Sequence, residues 1–550
     1  MPEPWVPDPE SEDLILRRFD ERLTEAEFAA FDERLRSDAA FRQHYVLMAD
    51  LNACLYDELS EVPMRLTAAE AKNRTTWTSR AISWSCLAAI VAAMLAAIWP
   101  SGIQTDVVPD TTAVNSTPSP NAAPLVADEA GARFLADESA NAQDAAVLVM
   151  TDGQTPGPLV AGFRFRPGML KLDRGYMQIE FISGAVVGLT GPAEFRIESS
   201  SAATIFSGQA AANVPERARG FVLNTPSAAV VDLGTEFAVE IDSSGNTEVE
   251  VISGEVELSL LGDDGSTLLS ERVNDSRVVR VDRDELKLTE MGRESEPMSQ
   301  LRAIPETPLT VSDKYVQSVL DCRPLIYWRF EQSDQNRIRN EVSEQWPAIV
   351  YAAESEPEGL RIAEGCARFR RTNASRFFRT DESLPNLNAG DYSIELWIRP
   401  DDLSHSTCLG IFPESEPDAR THLNVIEIAT ETFLIHEPGA IRFLHRNPPE
   451  QQWKLGTNAF SKGICTPHQW QHIVAVKQSA SMALYYNGQL ARRVDLSDAN
   501  GPGSYRLLAG QLNPASNWRQ YSGAMDEVAI YPMSLTEEQI ALHYRLVVEK

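Results

Sequence analysis

The sequence predicts a mainly β protein with a small N-terminal helical domain and one transmembrane helix ahead of the strands. Three observations carry this. Residues 81–99 form an uncharged apolar run. Residues 11–61 place apolar side chains at helical spacing. From about residue 145 the chain breaks into short apolar or alternating runs punctuated by Gly and Pro, the pattern of strands and tight turns.

The apolar run reads AISWSCLAAIVAAMLAAIW. As a helix it reaches roughly 28 Å, close to the thickness of a bilayer's hydrocarbon core. Trp84 and Trp99 sit near its ends, where indole prefers the interface, and Pro100 and Gly102 stop it. Arg65, Lys72, Arg74 and Arg80 precede it, whereas Asp106 and Asp110 follow and no Lys or Arg returns until Arg133. This asymmetry puts the N-terminus in the cytoplasm and everything after residue 100 outside. The long stretch ahead of the run argues against a cleaved signal peptide. The competing reading is a buried helix of a soluble protein. Ala88, Ala92 and Ala96 have the small-xxx-small spacing that packs helices in membranes.

Ahead of the span, Leu14, Ile15, Phe19 and Leu23 share one helical face. Thr24 and Glu27 have capping-box spacing, with Phe28, Phe31 and Leu35 behind them. Ser37 or Asp38 can cap a third helix carrying Phe41, Tyr45, Met48, Leu51 and Leu55. So short a helical set makes a marginal core, which a partner would complete. The stretch LILRRFDERLTEAEFAAFDERLRSDAAFRQHYVLMADLNACL resembles the N-terminal segment of FecR-type transmembrane anti-sigma regulators. The resemblance implies a cytoplasmic sigma-factor-binding segment over 1–80, with Phe19, Phe28, Phe31, Leu35 and Tyr45 as contact candidates. The alternative is a packing or oligomerisation module. The segment lacks an HxxxCxxC zinc signature.

Residues 100–144 are rich in Pro, Ala, Ser, Thr, Asn and Asp and read as an extended linker. A stacked all-β domain follows over 145–290. Its blocks FISGAVVGLTGPAEFRIES, TPSAAVVDLGTEFAVEI and TEVEVISGEVEL resemble the FecR periplasmic domain. Asp232, Gly234, Thr235 and Glu236 form the diagnostic motif. Paired carboxylates beside a Gly turn can ligate Ca²⁺, but the same residues are good turn chemistry, and the structural role is favoured.

A second linker is expected over 291–318. Residues 319–550 then alternate again. DYSIELWIRPDD, WQHIVAVKQSASMALYYNGQLA and YSGAMDEVAIYPMSLTEEQIALHY resemble the laminin-G/concanavalin-A-like jelly roll of bacterial surface proteins. That resemblance implies a β-sandwich binding carbohydrate or protein ligands, often beside Ca²⁺. Asp526 and Glu527 match the family's Asp–Glu pair, as metal ligands or as a pin for the closing strand. Asn487-Gly488 marks a hairpin turn, and Ser534 with Glu537 a capping box. Trp397, Trp470 and Tyr531 occupy core-type positions. Trp453 and Trp518 lie in loop-like surroundings and are the stacking candidates.

The formal net charge of -30 argues against direct nucleic-acid binding. Cys322, Cys366, Cys408 and Cys465 form no CxxC pair; they allow three disulfide pairings or four free thiols. Catalytic signatures are missing. EIATE lacks the central Asp of the glycosidase run, and there is no G-x-S-x-G, H-E-x-x-H or P-loop. His468 and His472 share i,i+4 spacing ahead of a strand. The expectation is a non-enzymatic, single-pass regulator of the bacterial inner membrane. It would control an extracytoplasmic-function sigma factor in response to a ligand bound by periplasmic domains. The alternative is a non-signalling cell-envelope adhesion or scaffold protein.

Overall fold

Alternation of inward and outward side chains sets the strands after the linker. The computed structural model describes Arg34 and residues 131–549, apart from 138–142, 154–158, 243, 263, 293–299, 332, 335, 353–358, 415–420, 430–437, 451–455, 497–499 and 515–518. The expected helical segment and membrane span therefore lie outside the described residues. So do Phe19, Phe28, Phe31, Leu35, Tyr45, Trp453 and Trp518. Among the described residues no helix is long and apolar enough to cross a membrane. Residues 124–550 form one compact unit.

The first β region begins at the strand Ala132–Ala136, inside the stretch expected as linker, and ends at Lys287–Met291. Its described strands form one fifteen-stranded, almost wholly antiparallel sheet. The long strand Val186–Ser199 pairs first with Tyr176–Phe181 and then with Gly168–Leu172. Its neighbour Ala202–Asn213 follows it round. The register between them breaks from Thr190 to Glu194. There Gly208, at φ +97°, approaches Pro192 so closely that a Cβ would strike its carbonyl oxygen. Such bulges bend both strands together. The sheet thereby encloses Phe195, Ile197, Ile205, Val230, Phe237 and Val249, all buried.

The second β region is a sandwich. An eight-stranded and a ten-stranded sheet face each other across one apolar core. In the strand Tyr392–Pro400, Ile394, Leu396 and Ile398 point into that core. Trp397 points the other way, beneath two helices. Helix α1 spans Asp313–Asp321, ahead of the boundary expected at 319, and packs with this sheet through Tyr315 and Val319. Helix α2 spans Glu537–Val548. Its capping box is Thr536 with Gln539 rather than the expected Ser534 with Glu537. Leu535 and Ile540, both buried, flank the cap as a hydrophobic staple and fix that choice. Asn487 and Gly488 both have positive φ, as the expected hairpin turn requires. All four described cysteines are free and buried.

The expected second linker is a strap from residue 300 onward. Arg302 donates its backbone N–H to the Tyr176 hydroxyl at 3.2 Å and lies 4.1 Å over that ring. Ile304 packs on the sandwich core. Glu306 pairs with Arg368 at 2.6 Å, and Trp470 Nε1 donates to the Thr307 carbonyl at 2.7 Å. Both β regions are thus bound by one short segment.

They also meet directly. Val147, Val149 and Ile182 of the first region share the sandwich core with Leu403. Each such side chain, fully buried, contributes about 1.5–3 kcal/mol. The Leu403 backbone N–H donates to Glu180 Oε1 at 2.9 Å. Arg217 lies 3.6 Å from Glu180 and 3.8 Å from Asp402, while Arg371 grips Asp402 with both guanidinium nitrogens. Burial, then the Asp402 charge, pushes the Glu180 carboxyl up to about 8, against Arg217, the Leu403 amide and Arg371. Burial would raise Asp402 too, but Arg371 and Arg217 hold it down at about 2. Between roughly pH 4.5 and 8 the docked form therefore binds more protons than the separated form, and docking weakens as pH rises through that window. Asp402 titrates below it. The thermal midpoint of the β unit should fall from pH 6 to pH 8.5, and Glu180→Gln should flatten that fall in calorimetry of the full chain.

Candidate functional site

Three polar clusters in the β unit bear on function. The first lies under the helices of the sandwich. Glu395, on the outward face of Tyr392–Pro400, is fully buried. It meets His472 Nε2 at 2.8 Å and His543 Nδ1 at 3.0 Å. The Tyr531 hydroxyl donates to it at 2.6 Å and the Tyr315 hydroxyl at 3.4 Å. Trp397 Nε1 donates to Tyr315 at 3.2 Å. His472 lies within the strand Gln471–Lys477 rather than before it, and faces Glu395 instead of His468. Burial opposes the charge on Glu395, yet His543 and His472 outweigh it and hold the carboxyl far below its usual range. Burial likewise disfavours imidazolium at His543, but Glu395 and Cys322 raise it to about 10. This is a structural clasp, sealed from solvent.

The second cluster holds the expected Asp–Glu pair. Glu527 is buried, with φ +52°, beside a bulge opposite Glu395 and Trp397. Its carboxylate accepts from the Tyr327 hydroxyl and from Arg329 Nε at 3.1 Å. Asp526 Oδ1 accepts the Glu527 backbone N–H at 2.7 Å. Burial pushes both carboxyls up, Glu527 to about 7. Ca²⁺ takes six to eight oxygen ligands, ionised carboxylates prominent among them. Here a guanidinium already occupies Glu527, so these residues do not fit the ion. Among the described residues no group of three or more His, Cys, Asp or Glu could hold a metal. Through Tyr327, Glu527 ties the closing strand Gly523–Tyr531 to Ile326–Trp328.

The FecR-motif residues are also built into a turn. Asp232 accepts from the Gly234 backbone N–H at 2.6 Å and from the Thr235 hydroxyl. Gly234 has φ +105°, and Glu236 starts the strand Glu236–Ile241. Burial raises the Asp232 carboxyl to about 6, against those donors.

The third cluster is the candidate ligand site. Glu427 and Arg442 stand opposite each other on paired strands, His422–Ile428 and Ile441–Glu450. They occupy the face of the ten-stranded sheet turned from the core, beside the buried Val425, Leu444 and Phe412. Arg442 Nη1 donates to Glu427 Oε1 at 2.6 Å, and Arg519 Nη1 to Oε2 at 3.0 Å. His405 Nε2 lies 3.4 Å from Oε2. Burial would raise the Glu427 carboxyl, but Arg519, His405 and Arg442 hold it well below the usual range. A carboxylate so held cannot donate a proton, as one member of a glycosidase pair must. Both guanidiniums are largely buried and engaged by Glu427, so an acceptor-rich ligand would reach them by displacing that pairing.

Trp518 immediately precedes Arg519 in the chain, and Trp453 follows Ile441–Glu450. Both aromatics lie outside the described residues, and the sequence reading missed Arg442, Arg519 and His405. Their only signal was the run EIATE, which supplied Glu427. Trp397 and Tyr531 are buried and Trp470 half-buried against the helices, as packing residues.

Known families match both halves of the β unit. Residues 173–257 match the FecR protein family model. Residues 374–541 match the concanavalin A-like lectin/glucanases superfamily, Laminin_G_3. The β unit thus carries a FecR-like region followed by a concanavalin A-like region. None of the curated proteins matches it. Among solved structures, domain 4 of AbnA, a GH43 extracellular arabinanase from Geobacillus stearothermophilus in complex with arabinotriose, is 18% identical. That match covers 40% of this chain and 98% of that one, with a TM-score of 0.29. The botulinum neurotoxin serotype D ligand binding domain in complex with N-acetylneuraminic acid is 11% identical, covering 42% and 52% at a TM-score of 0.30. The binding domain of Paraclostridial Mosquitocidal Protein 1 is 14% identical, covering 40% and 52% at 0.29.

Three outcomes follow. Glu395→Ala leaves two buried histidines without their anion and should cost about 3–5 kcal/mol in denaturant unfolding. His543, raised from 6.5 to about 10, contributes stability fully present below pH 6.5 and lost as pH rises through 10. Glu395, depressed, contributes above pH 4.5 and loses it as pH falls. The clasp should therefore be strongest between pH 4.5 and 6.5, with His543→Gln removing the alkaline loss. Chelation by EDTA should leave the thermal midpoint unchanged, because no described side-chain set fits Ca²⁺.

Proposed function

We propose that this chain is a single-pass regulator of the bacterial inner membrane. Residues 1–80 bind an extracytoplasmic-function sigma factor in the cytoplasm through Phe19, Phe28, Phe31, Leu35 and Tyr45. The span 81–99 crosses the bilayer, and the linker carries the β unit into the periplasm. There the jelly roll takes a carbohydrate ligand at the Glu427–Arg442–Arg519 face, with Trp453 and Trp518 as stacking surfaces. The protein binds and signals rather than catalyses.

The observation that carries this reading is the docking of the two β regions through Leu403, Glu180 and the strap. A ligand changes a distant element only if it favours one arrangement over another. Two domains sharing a core and a strap form an element whose arrangement a ligand can bias. Families of regulatory and of binding type on one chain give each domain a task.

The test has two arms. Residues 1–80, immobilised, should retain a sigma factor, and Phe28→Ala with Phe31→Ala should abolish retention. An inactive bait with every helix intact would leave the adhesion or scaffold protein as the reading. On a glycan array the full chain should bind a polysaccharide, and Arg519→Met should weaken that binding at least tenfold. Hydrolysis of the bound polysaccharide would overturn the non-enzymatic reading.

A further inference from the structure

The loop after the strand Tyr392–Pro400 has one end in the domain interface and the other in the candidate ligand cluster. At its start, Asp402 is gripped by Arg371 and faces Arg217 of the FecR-like region. The next residue, Leu403, gives its backbone N–H to Glu180 and its side chain to the shared core. Ser404 turns the chain by donating its N–H to Asp402 Oδ1 at 2.8 Å. His405 then lies against Glu427. Thr407 donates its N–H at 2.9 Å to the carbonyl of Arg519, whose guanidinium also holds Glu427. Every residue from Asp402 to Thr407 is at least three-quarters buried. His405 is three positions after Asp402, a span of about 10 Å if extended.

We propose that the segment Asp402–Thr407 couples the Glu427 cluster to the domain interface, so that occupation of the cluster changes how tightly the FecR-like region is docked. The proposal rests on the reading above only for what occupies the cluster. The physical requirement is that the two ends cannot relax separately. So short a backbone, fixed at Leu403 by the buried Glu180 carboxyl and at Thr407 by the Arg519 carbonyl, transmits a shift at one end to the other. A ligand that draws the Arg519 guanidinium from Glu427 moves the carbonyl that holds Thr407. It also leaves His405 as a larger share of the carboxylate's support. Either change pulls on Leu403 and its bond to Glu180. By linkage the effect is reciprocal, so loosening Glu180 alters the cluster equally.

Hydrogen exchange on the full chain in detergent micelles tests this without any ligand. The reporter amides are Leu403 and Thr407, one at each end. Arg519→Met and His405→Gln should each speed exchange at Leu403 by about fivefold or more, the lower range of measured couplings. Glu180→Ala, which removes the acceptor of the Leu403 N–H, should speed exchange at Thr407 by a similar factor. Unchanged protection in Tyr392–Pro400 shows that the sandwich is intact; if a variant loses it, Arg519→Lys replaces Arg519→Met. Wild-type exchange at Leu403 in both cluster variants, with the strand protected, would overturn the coupling. Because no glycan enters the measurement, a jelly roll that binds none leaves this result standing and fails only the ligand reading.

Discussion

A buried carboxylate must be paired, and Glu395 meets that demand by gathering a wall of the sandwich around itself. Taking an ion out of water costs several kcal/mol, which only close partners with good geometry offset. Its partners come from across the sequence of this domain: Tyr315 from α1, His472 from a central strand, Tyr531 from the closing strand and His543 from α2. None of these elements can leave without stranding a charge. The eight-stranded sheet is therefore covered on its outer side by helices as firmly as on its inner side by the apolar core. The neighbouring Glu527, with Tyr327 and Arg329, closes the same strands by the same logic.

With that face closed, the sandwich offers the FecR-like region a fixed partner. The interface combines apolar contacts among Val147, Val149, Ile182 and Leu403 with the Glu180–Arg217–Asp402–Arg371 set. Apolar burial supplies most of the attraction in such a contact, whereas the charges set register and respond to pH. The strap adds a covalent tether whose own side chains grip both regions.

Much of this organisation was legible in the amino-acid order. Strand after strand of the β unit shows period-two alternation, and motif blocks fall on strands that the core requires. The Asn487-Gly488 turn and the packing roles of Trp397 and Tyr531 follow from local chemistry. Other features were hidden for physical reasons. Ala132–Ala136 is an edge strand with exposed Leu135 and one pairing neighbour, so it carries little apolar signal. The strap reads as linker because its residues follow no strand or helix period and Pro305 and Pro308 interrupt it, while its anchoring lies in partners over a hundred residues away. Glu395 and Glu427 are single acidic letters in apolar runs; only tertiary contact reveals that cations surround them. The α2 cap shifted because two overlapping Ser/Thr–Glu/Gln registers compete, and burial of Leu535 decides between them.

The position of that first strand has a mechanical meaning. Tension reaching the β unit from its N-terminal side acts first on Ala132–Ala136, which is held to the sheet only through Gly168–Leu172. An edge held by one neighbour gives way before a strand held by two. The FecR-like region thus places its weakest seam where a pull arrives, and Gly168, against the Leu135 carbonyl, sits within that seam with no side chain to lock it. A load would peel this strand while the enclosed sheet, the strap and the sandwich behind it remained assembled.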